Sequence, residues 1–391
     1  MSWTTAKIGD VCDVVSGATP RTSEKRFWGG DIFWTTPKDI STLESPYLDR
    51  TDRTITMEGL KSCAASILPV NSVLLSSRAP IGLVAINSVP MATNQGYKSL
   101  VANAQRIDSK FLYYWLKSKT SYLQGLGNGA TFKEISKAVV ERIEVPVPPL
   151  DEQRRIAAIL DVADGLRRQR RRTVELLDSL SESIFLEMFG DPFAHNSALR
   201  RVEFEKVTSR ITYGFTQPMS HHECGIPILT AKNVRSGYID LNNVDFASRS
   251  EFDALTAKSK PQRNDILITK DGAILGRSAC VLTDAEVCIN QSVALVKPRT
   301  DFVEPLYLLG YLMSGPVQAR IEAMKKGNAM PHLQITELAR FPVALPSLEL
   351  QRKFVLRKQK VESQKARLER FAEESYALFS SLQSLAFSGR L

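Results

Sequence analysis

The sequence predicts an α+β chain of two similar globules in a pseudo-two-fold arrangement, separated by two long antiparallel helices that form a coiled coil. Three observations predict it: an internal repeat, short β-branched runs inside each repeat, and an apolar heptad stripe that closes each one. The repeat has a period of about 195 residues. The segment VVSGATP (14–20) answers SRITYGFTQP (209–218), IFWTTPKDI (32–40) answers IPILTAKNV (226–234), and NSVLLSSRAPIG (71–82) answers NDILITKDGAILG (264–276). ATNQGYKSLV (92–101) then answers CINQSVALVK (288–297), GNGATFKEIS (127–136) answers GNAMPHLQIT (327–336), and VPVPPLDEQRR (145–155) answers VALPSLELQRK (343–353). Blocks recurring in one order fix the architecture before any local assignment does.

Within each globule LLSS, IGLVAI and ILIT read as strands, and DSKFLYYWLKSK (108–119) and EPLYLLGYLMS (304–314) as helices. Prolines 146, 148 and 149 in one copy, and 342 and 346 in the other, stop the globule before its long helix. Heptad steps place Ile156, Ile159, Leu166, Leu177, Leu180 and Ile184 on the seam of the first helix. Phe354, Val361, Leu368, Phe371, Leu378, Leu382 and Leu385 take the seam of the second. A rise of roughly 1.5 Å per residue makes each helix a rod on the order of 50 Å. The boundaries that follow are a globule at 1–149, a helix at 150–188, a globule at 189–346 and a helix at 347–391.

The chain has 391 residues with a formal charge of +9, which suits a polyanionic partner, but the basic excess is spread along the sequence. No apolar run is long enough to span a membrane and the N-terminus lacks signal-peptide blocks, so a cytoplasmic protein is expected. Five cysteines without CxxC spacing read as reduced, packed thiols. His221-His222-x-Cys224 is too sparse for a zinc site, which needs four spaced ligands, so no metal is expected. Phosphate-loop and dinucleotide fingerprints are missing, no acid, base or nucleophile set emerges, and neither a catalytic residue nor a cofactor is expected.

Taken together, SGATP, RFWGGDIFWTTPKDI, ATNQGYKSL, GATFKEIS and VPVPPLDEQRRIAAILD resemble the specificity subunit of type I restriction-modification enzymes. FLEMFGDP (185–192) is similar to that family's junction into its second domain, and AFSGRL (386–391) to its C-terminus. The resemblance covers essentially the whole chain. It implies two target recognition domains, each reading one half of a split site in double-stranded DNA, joined by two spacer helices. It further implies two methyltransferase subunits that modify adenines, and motor-nuclease subunits. The second half departs from the pattern: SGATP becomes YGFTQP, WGGDIFW becomes CGIPIL, and DEQRRIAAIL becomes ELQRKFVLRK. Unlike half-sites require unlike recognition segments, which accounts for the first two changes.

Base readout draws on Arg, Lys, Asn and Gln, and phosphate holding on Lys, Arg, Ser and Thr. Candidate contacts in the first globule are Arg21, Lys25, Arg26, Thr36, Lys38, Arg78, Asn94, Gln95 and Lys133. In the second they are Thr216, Gln217, Lys232, Asn233, Arg235, Lys270, Asn290, Gln291, Lys325 and Lys326. The recurring Asn-Gln pairs suit a scaffold role as well as readout. The run RRQRRR (167–172) suits either partner docking on a solvated helix face or DNA backbone contact. Rival functions are a self-sufficient methyltransferase or nuclease, a coiled-coil assembly scaffold, and a specificity adaptor in a methylation-only or phage-defence system.

Overall fold

A computed structural model describes residues 3–78, 80–128, 133–194, 199–220, 222–272, 275–324 and 332–391. The chain divides into two compact units, residues 1–172 with 369–391, and residues 173–368. The boundaries between the units, after residues 172 and 368, fall inside the two long helices.

In the first unit a five-stranded sheet runs in the spatial order Cys12–Ser16, Lys98–Ala102, Val73–Leu75, Val84–Asn87, Tyr47–Leu48. A three-stranded sheet sets Trp28–Thr35 between Arg53–Ile55 and, in parallel, Met91–Thr93. The second unit repeats this wiring. Its four-stranded sheet runs Thr208–Tyr213, Val293–Pro298, Ile266–Thr269, Ser278–Cys280. Its three-stranded sheet sets Ile226–Leu229 between Asp245–Ala247 and, again in parallel, Cys288–Ile289. An antiparallel strand pair closes each globule, Thr5–Lys7 on Glu144–Pro146 and Arg201–Glu203 on Pro342–Ala344.

The repeat extends to single residues. Val73–Leu75 and Ile266–Thr269 are buried along their whole length, as central strands covered on both faces must be. Each follows an asparagine in the left-handed region, Asn71 at φ 67° and Asn264 at φ 73°, a conformation that asparagine tolerates better than most residues. Their backbone N–H groups donate to Asn87 O and Val281 O, which fixes where each strand begins.

The long helices run Leu150–Phe189 and Leu348–Phe387, 40 residues each. Their glutamines tie helix to globule by the same knot in both copies. Gln153 is fully buried; its Oε1 accepts from Asp108 N at 2.8 Å and its Nε2 donates to Arg106 O and Pro148 O. Gln351 is equally buried, accepting from Glu304 N at 2.8 Å and donating to Phe302 O and Pro346 O. A buried carboxamide is stable only when all these groups are paired, so the knot holds the loop before the short helix of each globule against the start of its long helix.

Within the first unit the helices run antiparallel: Arg155 donates to Leu391 O and Arg170 to Phe371 O. Ile156, Ala157 and Leu160 pack with Phe379 and Ala386 into the core of that unit, under Phe111 and Tyr114. Within the second unit Phe185 and Phe189 pack on Phe354, and Arg357 pairs with Glu187 at 3.3 Å. The uniform heptad seam needs correction. Leu166, Leu180, Phe371 and Leu378 are 51%, 44%, 38% and 60% exposed. Ile156, Ile184 and Phe354 are buried, while Ile159, Leu177, Val361, Leu368, Leu382 and Leu385 are half-buried. A helix with 3.6 residues per turn drifts about 20° per heptad from a 3.5-residue stripe. The buried positions instead follow the globule packed on each end, which brings Leu160, Phe185, Phe189 and Phe379 inside.

Replacing Gln153 or Gln351 by leucine strands buried N–H and C=O groups and is expected to cost about 2–3 kcal/mol. Urea unfolding of the full chain checks this, with Gln153→Leu lowering the midpoint of the first unit and Gln351→Leu that of the second. A shift of either midpoint below what about 0.5 kcal/mol produces, within the range of ordinary surface changes, would remove the knot from the account.

Candidate nucleic-acid interface

The loops that carry most candidate contacts hang from one backbone crossing, built twice. Gly17 N donates to Tyr97 O, Ala18 N to Thr93 O, and Asn94 N to Thr35 O. In the second unit Gly214 N donates to Val293 O, Phe215 N to Ile289 O, and Asn290 N to Leu229 O. A Cβ on Gly17 would lie 1.9 Å from Asn94 O, and one on Gly214 1.9 Å from Ile289 O, so only glycine fits at either crossing. Asparagine shapes the turn in each case. Asn94 Oδ1 accepts from Gly96 N at 2.9 Å, and Asn290 Oδ1 from Ser292 N at 3.1 Å.

What surrounds the crossing differs between the copies. In the first unit Trp34 Nε1 donates to Ala18 O and Trp28 Nε1 to Arg21 O, which pins the loop that leaves Gly17. The two indoles meet edge to face, and the Arg53 guanidinium lies 3.6 Å from the Trp28 ring centroid. In the second unit a carboxylate does this work. Glu251 accepts from Ser248 Oγ and N within a capping box, and also from Ser220 N; its Oε2 is hydrogen-bonded to His222 Nε2 at 3.0 Å. These bonds, led by the Ser248 hydroxyl, hold the Glu251 carboxyl down at about 2.

The structure sorts the candidates. Arg21, Lys25, Lys38, Gln95 and Lys133 are exposed, and Thr19 Oγ1 donates to Gln95 Oε1. Arg26 is exposed but paired with Glu58 at 2.9 Å. Arg78 and the buried Lys98 share Glu134; burial pushes that carboxyl up, but the two cations outweigh it and hold it below its ordinary value. In the second unit Thr216, Gln217, Asn290 and Gln291 line a groove of about 350 Å³ with Phe215, Ser220, Ile228 and Asp245. Lys232 pairs with Asp245 at 3.5 Å on its rim, and Arg235 with Asp240 at 3.4 Å. Lys325 and Lys326 lie outside the described residues.

Several candidates have side-chain groups already engaged within the protein. Asn233 is 1% exposed, its Oδ1 accepting from Thr230 N and its Nδ2 donating to Asp240 O and Asn243 O. Asp39 corresponds to Asn233 and Thr36 to Thr230: Thr36 caps its helix and its N–H donates to Asp39 as that of Thr230 donates to Asn233, so the same i, i+3 bond keeps both loops folded. Asn94 and Asn290 spend their side-chain oxygens on the turn. The Lys270 side chain is 17% exposed and bound to both oxygens of Asp271. Polar residue types mark surface and structural positions alike, so composition could not separate them. Thr19, Arg53 and Glu251 escaped the sequence reading, although Gly-x-Thr recurs in both copies and carried a signal for Thr19.

The arginine run is structural over much of its length. Arg167 and Arg168 bond the buried Asp164 at 2.5 and 2.6 Å, Arg167 also lies over the Phe379 ring, and Arg170 bonds Phe371 O and Ser375. Burial pushes the Cys12, Cys280 and Cys288 thiols up to about 12, consistent with packed, unreactive groups. Among the described residues no His, Cys, Asp and Glu side chains gather as metal ligands, and His221 lies outside them. No helix among them is long and apolar enough to cross a membrane.

Comparison with known proteins gives a consistent result. The family model for the type I restriction modification DNA specificity domain matches residues 1–176 and 223–371. The type I restriction enzyme MjaIX specificity subunit of Methanocaldococcus jannaschii is 28% identical over 371 residues, spanning 90% of this chain and 85% of its own. The EcoBI specificity subunit of Escherichia coli is 25% identical over 334 residues, spanning 78% and 70%. A solved chain from a study of complex assembly and conformational transition of the type I R-M system shares the fold, with TM-score 0.64 at 19% identity over 100% of this chain and 98% of that one.

Glu251 acts as a carboxylate, so its support for the loop at 215–220 is complete above its ordinary value near 4.5 and is lost as pH falls towards 2. Glu251→Gln is expected to speed amide exchange at Ser220 at neutral pH and to leave the loop at 18–21 unchanged. Hydrogen exchange read residue by residue checks both, and an unaltered Ser220 amide would show that the loop is held by other means.

Proposed function

The chain belongs to the type I restriction-modification DNA specificity family, and from that premise we propose that its two modules each read one half of a split DNA target. Sequence-specific DNA recognition within a type I restriction-modification system is its function. The observation that carries the bipartite reading is the repeated crossing at Gly17 and Gly214, which presents unlike loops from like frames. Frames of one kind with different contents suit two half-sites of different sequence.

Recognition in this reading belongs to 1–149 and 189–346, while the helices at 150–188 and 347–391 set the gap between half-sites and carry the partners. Two methyltransferase subunits modify adenines flipped from the duplex, and motor-nuclease subunits act on unmodified DNA. The specificity chain contributes no reacting group; it is non-catalytic, works in the cytoplasm and needs no cofactor. Exposed cations such as Lys25, Lys38 and Lys133 supply the salt-dependent part of binding, and base edges supply the discrimination.

Exchanging residues 1–145 for those of a relative with a different target is expected to change one half of the recognised sequence and leave the other. Mapping methylated adenines in host DNA reads the result, and a change of spacing alone would overturn the bipartite reading. Inserting one heptad into each long helix adds roughly 10 Å of rod. The gap should lengthen with both half-sites intact, and an unchanged gap would remove the helices as the ruler.

A further inference from the structure

The duplication separates what the two modules do alike from what each does alone. Beyond the glycine and asparagine that build the crossing, two polar side chains recur at its mouth. Thr19 and Thr216 stand two residues after the glycines, and Gln95 and Gln291 follow the asparagines. Both glutamines are exposed. Their neighbours along the loops are unlike: Arg21, whose backbone O accepts from Trp28, in one module, and Gln217 with Ser220, whose N–H donates to Glu251, in the other.

A side chain that recurs at the same exposed position of two modules reading different sequences is not the source of the difference. It must meet something both half-sites present alike. The sugar-phosphate backbone is such a feature, since it is the same at every step of the duplex. Donor and acceptor geometry agrees. In the first module Thr19 Oγ1 donates to Gln95 Oε1, which leaves the carboxamide NH2 as the group to donate. A phosphate oxygen accepts from that group, whereas paired reading of adenine would need the oxygen as well.

Resting on the reading of the chain as a specificity subunit, we propose that Gln95 and Gln291 are the modules' common phosphate-backbone contacts. Discrimination then lies in the unshared loops that follow Gly17 and Gly214, with the exposed Arg21 and Gln217 as the side chains that read bases. Gln95 and Gln291 set depth and register, and the neighbouring loop supplies the choice.

The test uses the full chain in complex with its methyltransferase partner. A preferred duplex is first selected from a randomised library, and affinities are then measured for it and for each single-base variant at fixed salt. Gln95→Ala and Gln291→Ala should each weaken binding about ten-fold for all duplexes alike, as loss of one hydrogen bond to a charged group does. Gln95→Lys, which keeps a donor, should recover most of that loss, and Gln95→Glu should deepen it. Recovery by lysine separates a lost contact from a disturbed turn. Arg21→Ala should alter preference within one half-site only. A Gln95→Ala complex whose base preference changes at one position, or whose affinity is unchanged, overturns the proposal while leaving the specificity reading intact. A wild-type complex that binds every duplex equally overturns both.

Discussion

The close crossing of two backbone segments at Gly17 over Thr93-Asn94, and at Gly214 over Ile289-Asn290, is the constraint on which the candidate interface loops depend. Two chains can approach so closely only where one has no side chain, and the polar groups brought together must then bond one another. The crossing fixes where each loop leaves its sheet. It says nothing about the loop that follows, and the two modules use that freedom: a pair of indoles supports one loop, a multiply bonded carboxylate the other.

A second constraint joins each recognition module to its helix. Gln153 and Gln351 satisfy three backbone groups apiece from the centre of the junction, and being buried they leave little room for the module to turn on the rod. In the proposed reading, where the helices set the gap between half-sites, a stiff junction matters because slack at the joint would blur that spacing.

Beyond those shared joints the copies diverge in how the short helix meets the long one. In the first unit Lys110 and Tyr114 bond Asp161, while Lys117, Arg167 and Arg168 surround Asp164. In the second, Gly310 and Met313 stand on the corresponding short helix, and a groove of about 820 Å³ opens beside Leu306, Leu309 and Phe354. The change from DEQRRIAAIL to ELQRKFVLRK thus accompanies a seam held by ion pairs in one copy and a hollow of mixed apolar and polar lining in the other.

The sequence by itself determined the duplication, the α+β class, the two long helices and the loops that face outwards. These are written in local order: repeated blocks, β-branched runs bounded by turn residues, and prolines before each helix. Which residues do what was decided only by tertiary structure. Asn94, Asn233 and Asn290 look like base readers in a list of residue types, yet folding commits their side-chain oxygens to backbone N–H groups. Leu166 and Phe371 fit the heptad count, yet the globule packed on each helix end chooses a face that drifts away from it. A residue type states which bonds a side chain is able to make, and only the fold states which of them are already taken.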